Sequence, residues 1–486
     1  MKVGILSQFP SQAIQSGPAI HTRFLHDGLE RRGHDVVMMG PDTGDQAPVD
    51  GTHDFLFPSV SYATHPDVRV ALPGSPLTLF GKRPDVDVIH GQANCHMMHY
   101  GVWAREMWGI PYLNTHIIHL PTHSHFILSD SLFKNDRVRD WTRERAYDME
   151  RNFAEHIYNR GDGFIVQSRH MVKYWRERGV TVPIEVVGRP VNPGVFSRPA
   201  SCDPFPAGFA PGKRLLVVCR HDREKSLDRL IDIFAKEIAP RAKDVTLTLV
   251  GDGHDHTNLV QRALASGFGD RIHFPGEVSH KALVDWYAHA DLFVYTSVSE
   301  TFGNVVNEAL WCGVPVVAFD DKMGVAGQVV DRVNGALIDP NVDDADARFG
   351  ATTLALLKNQ GLRAQLGGEA ANLARRTAHP DVVLSRFEQI YKDAIRHRKD
   401  TLPVPLVKRN RLVQLAAFAR QYSAWAFWNG AVVALGHTAA GLGQSRGGAT
   451  QHAAGQVLVQ AAATEQARAD AAGERVLDET ASRPAA

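Results

Sequence analysis

The chain has 486 residues, more than one ordinary hydrophobic core accommodates, so we expect two large domains and a smaller piece. Its 53 lysines and arginines balance its 53 aspartates and glutamates, which argues against the strong positive field typical of nucleic-acid-binding proteins. The content of 44% hydrophobic and 22% charged residues is typical of a chain that folds in water. Wholesale disorder and a polytopic membrane protein both fit this composition badly.

The first half of the chain alternates short apolar runs with helical patterns. Residues 2–8 form an apolar run, residues 19–32 have helical periodicity, and residues 35–39 form a second apolar run after a glycine turn. A strand, a helix and a strand in this order predict a βαβ unit. The runs at 86–90, 112–115 and 163–167 and the helical stretch at 141–158 continue the alternation. We therefore predict a parallel sheet wrapped by helices over residues 1–187.

Prolines separate this part from a second one. Residues 188–213 contain six prolines, which exclude a continuous helix and a central strand and so predict a linker. The alternation then restarts, with strands at 215–219, 245–250, 272–274, 292–295 and 314–319 and helices at 226–238, 257–265, 280–289 and 304–311. Residues 214–380 are thus predicted to form a second doubly wound domain, with a closing helix at 381–400 and a tail at 401–486. Ligands of such sheets bind at the carboxyl ends of the strands, in a cleft that faces both domains.

One loop between a predicted strand and a predicted helix carries two carboxylates. Glu300 lies in the loop and Glu308 lies about one and a half turns into the helix, so both can face one ligand. The backbone N–H groups near Phe302, Gly303 and Asn304 attract a phosphate, and Gly303 allows its close approach. The alternative is that both glutamates only complement the helix dipole.

A second loop of the same predicted domain carries cations. Arg220 and Lys225 follow the strand predicted at 215–219. The forked guanidinium and the compact ammonium suit a diphosphate and stabilise a leaving group without a metal ion. The alternative is a solvated surface loop.

Together, the segment 220–225, the Gly251-Asp252-Gly253 turn, the segment 300–308 and the run 313–318 resemble the retaining glycosyltransferases of family 4. The resemblance covers roughly residues 1–395. It implies an α/β fold of the GT-B type, in which two doubly wound, Rossmann-like domains face a cleft, here with a C-terminal helical extension.

The resemblance also implies which residues bind the donor. By analogy with the family, Glu300 contacts sugar hydroxyls, Glu308 contacts the ribose, and Arg220 and Lys225 bind the diphosphate. Further donor-binding residues from the same motif are Thr301, Phe302, Gly303 and Asn304. The donor is a nucleotide-diphosphate sugar, and the family implies no cofactor, no metal and no protein nucleophile, since the leaving phosphate takes the acceptor proton.

The first domain is then expected to bind the acceptor. Gly17 and His21 lie where family members have paired glycines after the first strand, although Pro18 follows the single glycine here; an ordinary turn is the alternative. His116 is similar in position to a family histidine that contacts the transferred sugar. The same loop holds further histidines that compete for this assignment: His119, His123 and His125. A zinc site is a weaker alternative, because their spacing matches no helix-face motif.

The tail begins with a basic stretch at 392–411, followed by apolar and aromatic residues at near-helical spacing up to 435. Cations beside aromatic residues suit an anionic membrane, so residues 392–443 are a predicted membrane surface. The alternatives are an amphipathic helix packed on the enzyme and a membrane span at 422–443. Residues 444–486 are predicted to form a loose helix or to be disordered.

The cysteines and the amino terminus favour a cytoplasmic protein. The four cysteines have no paired spacing, which predicts neither a disulfide framework nor a zinc ribbon, and residues 1–7 are too short for a signal-peptide core. The resemblance to family 4 implies a retaining hexosyltransferase, and the basic tail favours a location at the inner face of the membrane. Its acceptor is a hydroxyl group, with a lipid or another membrane-proximal glycoconjugate favoured. A nucleotide-sugar epimerase of the same fold and a catalytically silent membrane-docking scaffold are the alternatives.

Overall fold

The computed structural model of the chain describes residues 1–8, 17–42, 55–62, 65–71, 83–92, 97–117, 119, 121, 136–401, 405–420 and 423. His123, His125 and most of the predicted tail lie outside these residues. Everything said below about structure refers to the described residues.

The first half contains a parallel sheet of seven described strands and a separate antiparallel pair, β4 with β5. The strands are β1 (Lys2–Ser7), β2 (Asp35–Pro41), β3 (Phe55–Phe57), β4 (Ser59–Tyr62), β5 (His65–Ala71), β6 (Val88–Gln92), β7 (Tyr112–Thr115), β8 (Gly163–Val166) and β9 (Ile184–Val186). The large sheet has the order β3-β2-β1-β6-β7-β8-β9. The helices of this half are α1 (Gly17–Arg31), α2 (Met98–Trp108), α3 (Asp136–His156) and α4 (Arg169–Glu177). The central strands are apolar because helices cover both faces of a doubly wound sheet.

The second half contains a parallel sheet of six described strands in the order β12-β11-β10-β13-β14-β15. The strands are β10 (Arg214–Val218), β11 (Thr246–Val250), β12 (Ile272–Gly276), β13 (Leu292–Tyr295), β14 (Val316–Phe319) and β15 (Gly335–Ile338). The helices are α5 (Pro193–Phe196), α6 (Leu227–Ile233, continued by a π turn at Phe234–Ile238), α7 (His256–Ala265), α8 (Leu283–His289), α9 (Asn304–Trp311), α10 (Ala345–Lys358) and α11 (Gln360–Thr377). The predicted architecture of two doubly wound parallel-sheet domains is confirmed.

The last long helix, α12 (Pro380–Thr401), returns from the second half and packs on the first. Gly28 in α1 permits this close approach, because a Cβ atom there would lie 2.7 Å from the side chain of Leu384. The hydroxyl of Tyr391 also lies 2.7 Å from Nδ1 of the buried His90 on β6. The chain therefore passes between the two halves twice, once through residues 188–213 and once where α12 returns to the first half.

Residues 405–420 pack one side on the first half. Leu406, Ala417 and Phe418 contact its core, and the ring of Phe418 lies 6.2 Å from that of Trp103. Residues 411–420 are helical, in agreement with the predicted helical extension. Within the described ranges, no helix combines the length and hydropathy that crossing a bilayer requires.

One cation of the predicted membrane surface points inward instead. Arg398 is only 4% exposed. Its guanidinium donates to the carbonyl of Arg105 at 2.9 Å and lies 3.6 Å from the carboxylate of Asp162. The prediction that the whole stretch from 392 faces a membrane is therefore wrong at this residue, because the guanidinium fixes α12 to the first half.

Candidate active site

The predicted donor-binding loops meet at the carboxyl edge of the second sheet. The loop after β10 carries Arg220 and Lys225, and the loop after the neighbouring strand β13 carries Glu300. In a parallel sheet all strands end at the same edge, so residues far apart in sequence become neighbours there. The structure brings Lys225 and Glu300 into direct contact.

The carboxylate of Glu300 is fixed by three donors. Its Oε1 atom lies 2.6 Å from Nζ of Lys225, 2.8 Å from the hydroxyl of Tyr295 and 3.0 Å from the hydroxyl of Ser297. The side chains of Lys225 and Glu300 are 12% and 14% exposed, respectively. This geometry holds a charged carboxylate at the edge of the sheet where β10 and β13 end.

The neighbours of Glu300 decide its protonation. Burial alone would raise the pKa of this carboxyl, but the charge of Lys225 and the hydrogen bonds from Lys225, Tyr295 and Ser297 lower the pKa to about 2. Burial likewise opposes the charge of Lys225, yet Glu300 raises the pKa of the ammonium above its usual value. Both groups are charged at neutral pH.

Glu308 lies on α9 in a second polar cluster. One carboxylate oxygen is 3.1 Å from Nε2 of His280, and the other accepts a hydrogen bond from the hydroxyl of Tyr287, also at 3.1 Å. Only 8% of Glu308 is exposed. The contact with Glu308 raises the pKa of His280, so this imidazole is more easily protonated than a free one.

Helix α9 begins at the same edge and directs backbone N–H groups to it. Gly303, just before the helix, has φ 85°, a left-handed conformation that favours glycine. The adjacent loop packs closely, since a Cβ atom on Gly324 would lie 2.5 Å from the backbone of Phe302. Val306 and Asn307 donate to the carbonyl of Gly303, whereas the first N–H groups of a helix, here those of Asn304 and Val305, precede any intrahelical acceptor, which makes this helix start suitable for a phosphate.

Arg220 lies in the same loop as Lys225 but is more exposed. Its side chain is 55% exposed and forms ion pairs with Asp222 at 2.5 Å and Glu224 at 3.1 Å. A phosphate that binds Arg220 must therefore compete with two carboxylates of the loop. The Gly251-Asp252-Gly253 turn supports this loop, because the N–H of His221 donates to the carbonyl of Asp252 at 2.8 Å.

Two predicted donor-binding residues, Thr301 and Phe302, contact the first half. The hydroxyl of Thr301 donates to the carbonyl of Ile117 at 2.8 Å, and the ring of Phe302 would lie 3.3 Å from a Cβ atom on Gly188. A third contact joins the halves nearby, where the Ser168 hydroxyl donates to the carbonyl of Met323 at 2.6 Å. The loop that carries Glu300 is thus held between the two domains.

His21 lies on the first half, as expected for the acceptor side. It belongs to α1, whose first residue is Gly17, and it is 4% exposed. Its ring lies 6.2 Å from that of Phe24 and 5.9 Å from that of Phe387 on α12. Burial, with a contribution from the charge of Arg189, holds the pKa of His21 well below its usual value. The imidazole is therefore neutral.

His116 lies in the core of the first half, and the next residue, Ile117, accepts the hydrogen bond from Thr301. The fully buried ring lies 4.6 Å from that of Trp175, and Nδ1 is 3.5 Å from the Tyr158 hydroxyl. His119 points into the same half, with Nε2 2.9 Å from the Tyr174 hydroxyl. No group of three or more metal-ligating side chains occurs among the residues that the structure describes.

The sequence analysis missed two residues of this region. Arg189, three residues after the end of β9, is buried and places Nη1 3.5 Å from Oδ1 of Asn304. Because Arg189 lies in the proline-rich stretch, the sequence analysis assigned it to the linker. An arginine shortly after an apolar strand could have marked it as a candidate site residue. His280, beside Glu308, was assigned only to the start of a predicted helix.

Both halves of the chain match known families. Residues 15–195 match the family described as Glycosyltransferase Family 4. Residues 206–373 match the family described as Glycosyl transferases group 1. Together these matches include most of both sheets and the loops that carry Lys225, Glu300 and Glu308.

Individual proteins give the same result. The chain is 26% identical over 347 residues to alpha-monoglucosyldiacylglycerol synthase of Streptococcus pneumoniae. The aligned residues cover 69% of this chain and 75% of that protein. It is 27% identical over 324 residues to GDP-mannose-dependent alpha-mannosyltransferase of Mycolicibacterium smegmatis, 64% of this chain and 78% of that protein. The structure of Anabaena Alr3699/HepE in complex with UDP matches with a TM-score of 0.58 and 17% identity, over 81% of this chain and all of that one. This likeness supports the predicted GT-B fold.

Proposed function

The chain belongs to the family 4 glycosyltransferases of GT-B architecture, and on that premise we propose that it transfers a hexose, with retention of anomeric configuration, from a nucleoside-diphosphate sugar to a hydroxyl acceptor. The observation that carries this proposal is the Lys225–Glu300 pair at the start of α9. It sets a cation and a carboxylate side by side where the strands end. The cation suits a diphosphate, and the carboxylate suits the hydroxyl groups of a sugar.

The same pair supports a division of labour within the donor. In our proposal Glu300 accepts hydrogen bonds from the sugar, while Lys225, Arg220 and the first N–H groups of α9 bind the diphosphate. Glu308, held by Tyr287 and His280, binds the ribose. Preorganised donors of this kind stabilise the charge that develops on the leaving phosphate.

Catalysis then rests on placement and charge stabilisation. We propose that the first domain holds the acceptor oxygen against the anomeric carbon, and that the departing phosphate takes its proton on the same face. This step requires no metal ion and no protein nucleophile. The Thr301–Ile117 and Ser168–Met323 hydrogen bonds support it, because they hold the loops of one domain against the other.

We propose a lipid or another membrane-proximal glycoconjugate as the acceptor. The similarity to alpha-monoglucosyldiacylglycerol synthase supports a lipid. The exposed side of residues 405–420 supports a membrane location, since it combines the apolar Val407, Leu412 and Leu415, which are 49%, 77% and 53% exposed, with basic residues. Residues 405–420 contain four cations and no acidic residue, which suits the cytoplasmic face of an anionic membrane.

A thermal-shift screen with UDP-, GDP- and ADP-sugars tests the donor assignment. A ligand that binds only the folded protein raises its melting temperature, and we expect this for one nucleotide series. Lys225→Met and Glu308→Gln should lose the shift, whereas the exposed control Lys236→Met should keep it. No shift with any nucleotide sugar in the wild type would overturn the proposal.

Product analysis tests the remaining features. The proton NMR coupling of the anomeric position in the product reports retention directly, and turnover in the presence of EDTA reports independence from divalent metal ions. Incubation with the donor alone tests the epimerase alternative, which the relatives described above do not support. If the protein binds vesicles but turns over no nucleotide sugar, the alternative of a catalytically silent membrane-docking scaffold would be favoured.

A further inference from the structure

Arg189 lies where the two domains and the linker meet. It lies three residues after the end of β9, the last strand of the first sheet, and it is 8% exposed. Its Nη1 atom is 3.5 Å from Oδ1 of Asn304, the first residue of α9, and its carbonyl accepts a hydrogen bond from Nδ2 of Asn307 at 3.0 Å. The side chain therefore reaches the helix start that we propose for the diphosphate.

The charge of Arg189 is less well compensated than that of the other two cations. Lys225 is paired with Glu300, and Arg220 is paired with Asp222 and Glu224. Within the described ranges Arg189 forms no ion pair, and its buried Nε atom has no hydrogen-bond partner. A buried guanidinium without a direct ion pair is energetically costly, which makes an anionic ligand at this position favourable.

A second buried polar group lies on the other side of the junction. Nδ1 of His21, on α1, has no hydrogen-bond partner in the part of the chain that the structure describes, and the residue is 4% exposed. The charge of Arg189 contributes to the lowered pKa of His21, and Glu300 opposes the lowering effect of burial on the pKa of Arg189. Arg189 thus lies between the first half and the carboxylate of the proposed donor site.

We propose that Arg189 binds the distal phosphate of the donor diphosphate from the side of the first domain. This inference rests on the proposed function. It adds a third cation to the leaving-group site, contributed by the junction between the domains and not by the donor-binding domain.

Nucleotide binding in pairs tests this subsite. Isothermal titration with UDP and UMP, and with GDP and GMP, gives the ratio of diphosphate to monophosphate affinity for each variant. We expect Arg189→Met to reduce diphosphate affinity by roughly 10- to 100-fold, because a charged hydrogen bond is lost, and to leave monophosphate affinity within about twofold. Arg189→Lys should keep part of the affinity, since it retains the charge but not the fork.

Two controls separate the possible outcomes. Arg348→Met removes an exposed helical cation of the second domain, which pairs with Asp344, and should change neither affinity. Melting temperatures without nucleotide report folding, and if Arg189→Met does not fold, the ratio for Arg189→Lys decides. A wild type that binds none of these nucleotides overturns the proposed function together with the subsite. A wild type that binds diphosphates, with an unchanged ratio in both Arg189 variants, overturns the subsite alone.

Discussion

Nζ of Lys225 lies 2.6 Å from Oε1 of Glu300, and this contact joins the loops that follow β10 and β13. The two residues are 75 positions apart, so the chain brings them together only when the central strands of the second sheet pair. Tyr295 and Ser297 donate to the same oxygen. The pair therefore serves the fold and the proposed donor site at once.

The losses from removing each partner of the Lys225–Glu300 pair should not be additive. Glu300→Gln leaves a largely buried ammonium without its counter-ion, so we expect the free energy of unfolding to fall by about 3 kcal/mol. Lys225→Met leaves a buried carboxylate and should have a similar effect. The double variant should lose clearly less than the sum of the two, as measured by urea unfolding with tryptophan fluorescence. Additive losses would contradict a coupled pair.

The same pair predicts a dependence on pH. Because the folded-state pKa of Glu300 is about 2, below its usual 4.5, the carboxylate contributes its full stabilisation above pH 4.5 and loses it as the pH falls towards 2. The stability difference between the wild type and Glu300→Gln should therefore stay constant from pH 5 to neutral pH and shrink below 4.5. A difference that already declines near pH 6 would show that the carboxylate is not held as the structure indicates.

The contact between His280 and Glu308 predicts the opposite direction. The pKa of His280 is raised, so the stabilisation from its charged form is complete below pH 6.5 and is lost as the pH rises through the higher folded-state value. The melting-temperature difference between the wild type and His280→Gln should thus decrease between pH 6 and pH 9. His254→Gln, at an exposed position of the same domain, is the matched control and should show no such trend. An equal trend in both variants would exclude the contact as its cause.

The sequence predicts the second sheet and the donor loops well for a physical reason. The observed bounds of β7, β13 and α9 coincide with the predicted ones, because each is an apolar segment with clear turn residues at its ends. The meeting of Lys225 and Glu300 follows from the parallel order of the strands, which places their carboxyl ends at one edge.

Features that depend on tertiary packing were not predictable in the same way. The short strands β3, β4, β5, β9 and β15 and the helices α2, α4, α5, α10 and α11 were not identified, since weak patterns acquire their structure from neighbours. The direction of the His116 ring is set by Trp175 on α4, which no local pattern reveals. Arg189 reaches Asn304 only because the linker brings β9 and α9 together.

Thr301 offers a test of the contact between the domains. The Thr301 hydroxyl donates to the carbonyl of Ile117, so Thr301→Val removes this hydrogen bond while keeping the shape of the side chain. We expect nucleotide affinity to remain within about twofold and acceptor-dependent turnover to fall by roughly 5- to 10-fold, as the loss of one hydrogen bond permits. Thr301→Ser should restore turnover. A loss of nucleotide affinity in Thr301→Val would indicate that Thr301 binds the donor directly.

A substitution of His116 distinguishes a packing function of its ring from contact with the transferred sugar. Its buried ring contacts Trp175, so we expect His116→Asn to lower the melting temperature clearly, while turnover per folded molecule falls by less than about tenfold. Circular dichroism gives the folded fraction that this comparison needs. A loss of a thousandfold or more in turnover, at an unchanged melting temperature, would support the family-based assignment of His116 to the sugar.

The exposed side of residues 405–420 should bind anionic vesicles. Leu412→Ser with Leu415→Ser removes two exposed apolar groups, and Arg409→Glu with Arg411→Glu reverses two charges without touching Ala417 or Phe418, which pack on the first half. Each pair should abolish sedimentation with vesicles that contain about 30% phosphatidylglycerol and leave turnover of a soluble acceptor analogue unchanged. Wild-type binding should also fall with added salt, because the charge contribution is screened, and should be weak on phosphatidylcholine alone. Arg348→Glu, on the second domain, is the charge-matched control; equal loss in this variant, or wild-type binding that ignores lipid charge, would remove residues 405–420 as the membrane contact.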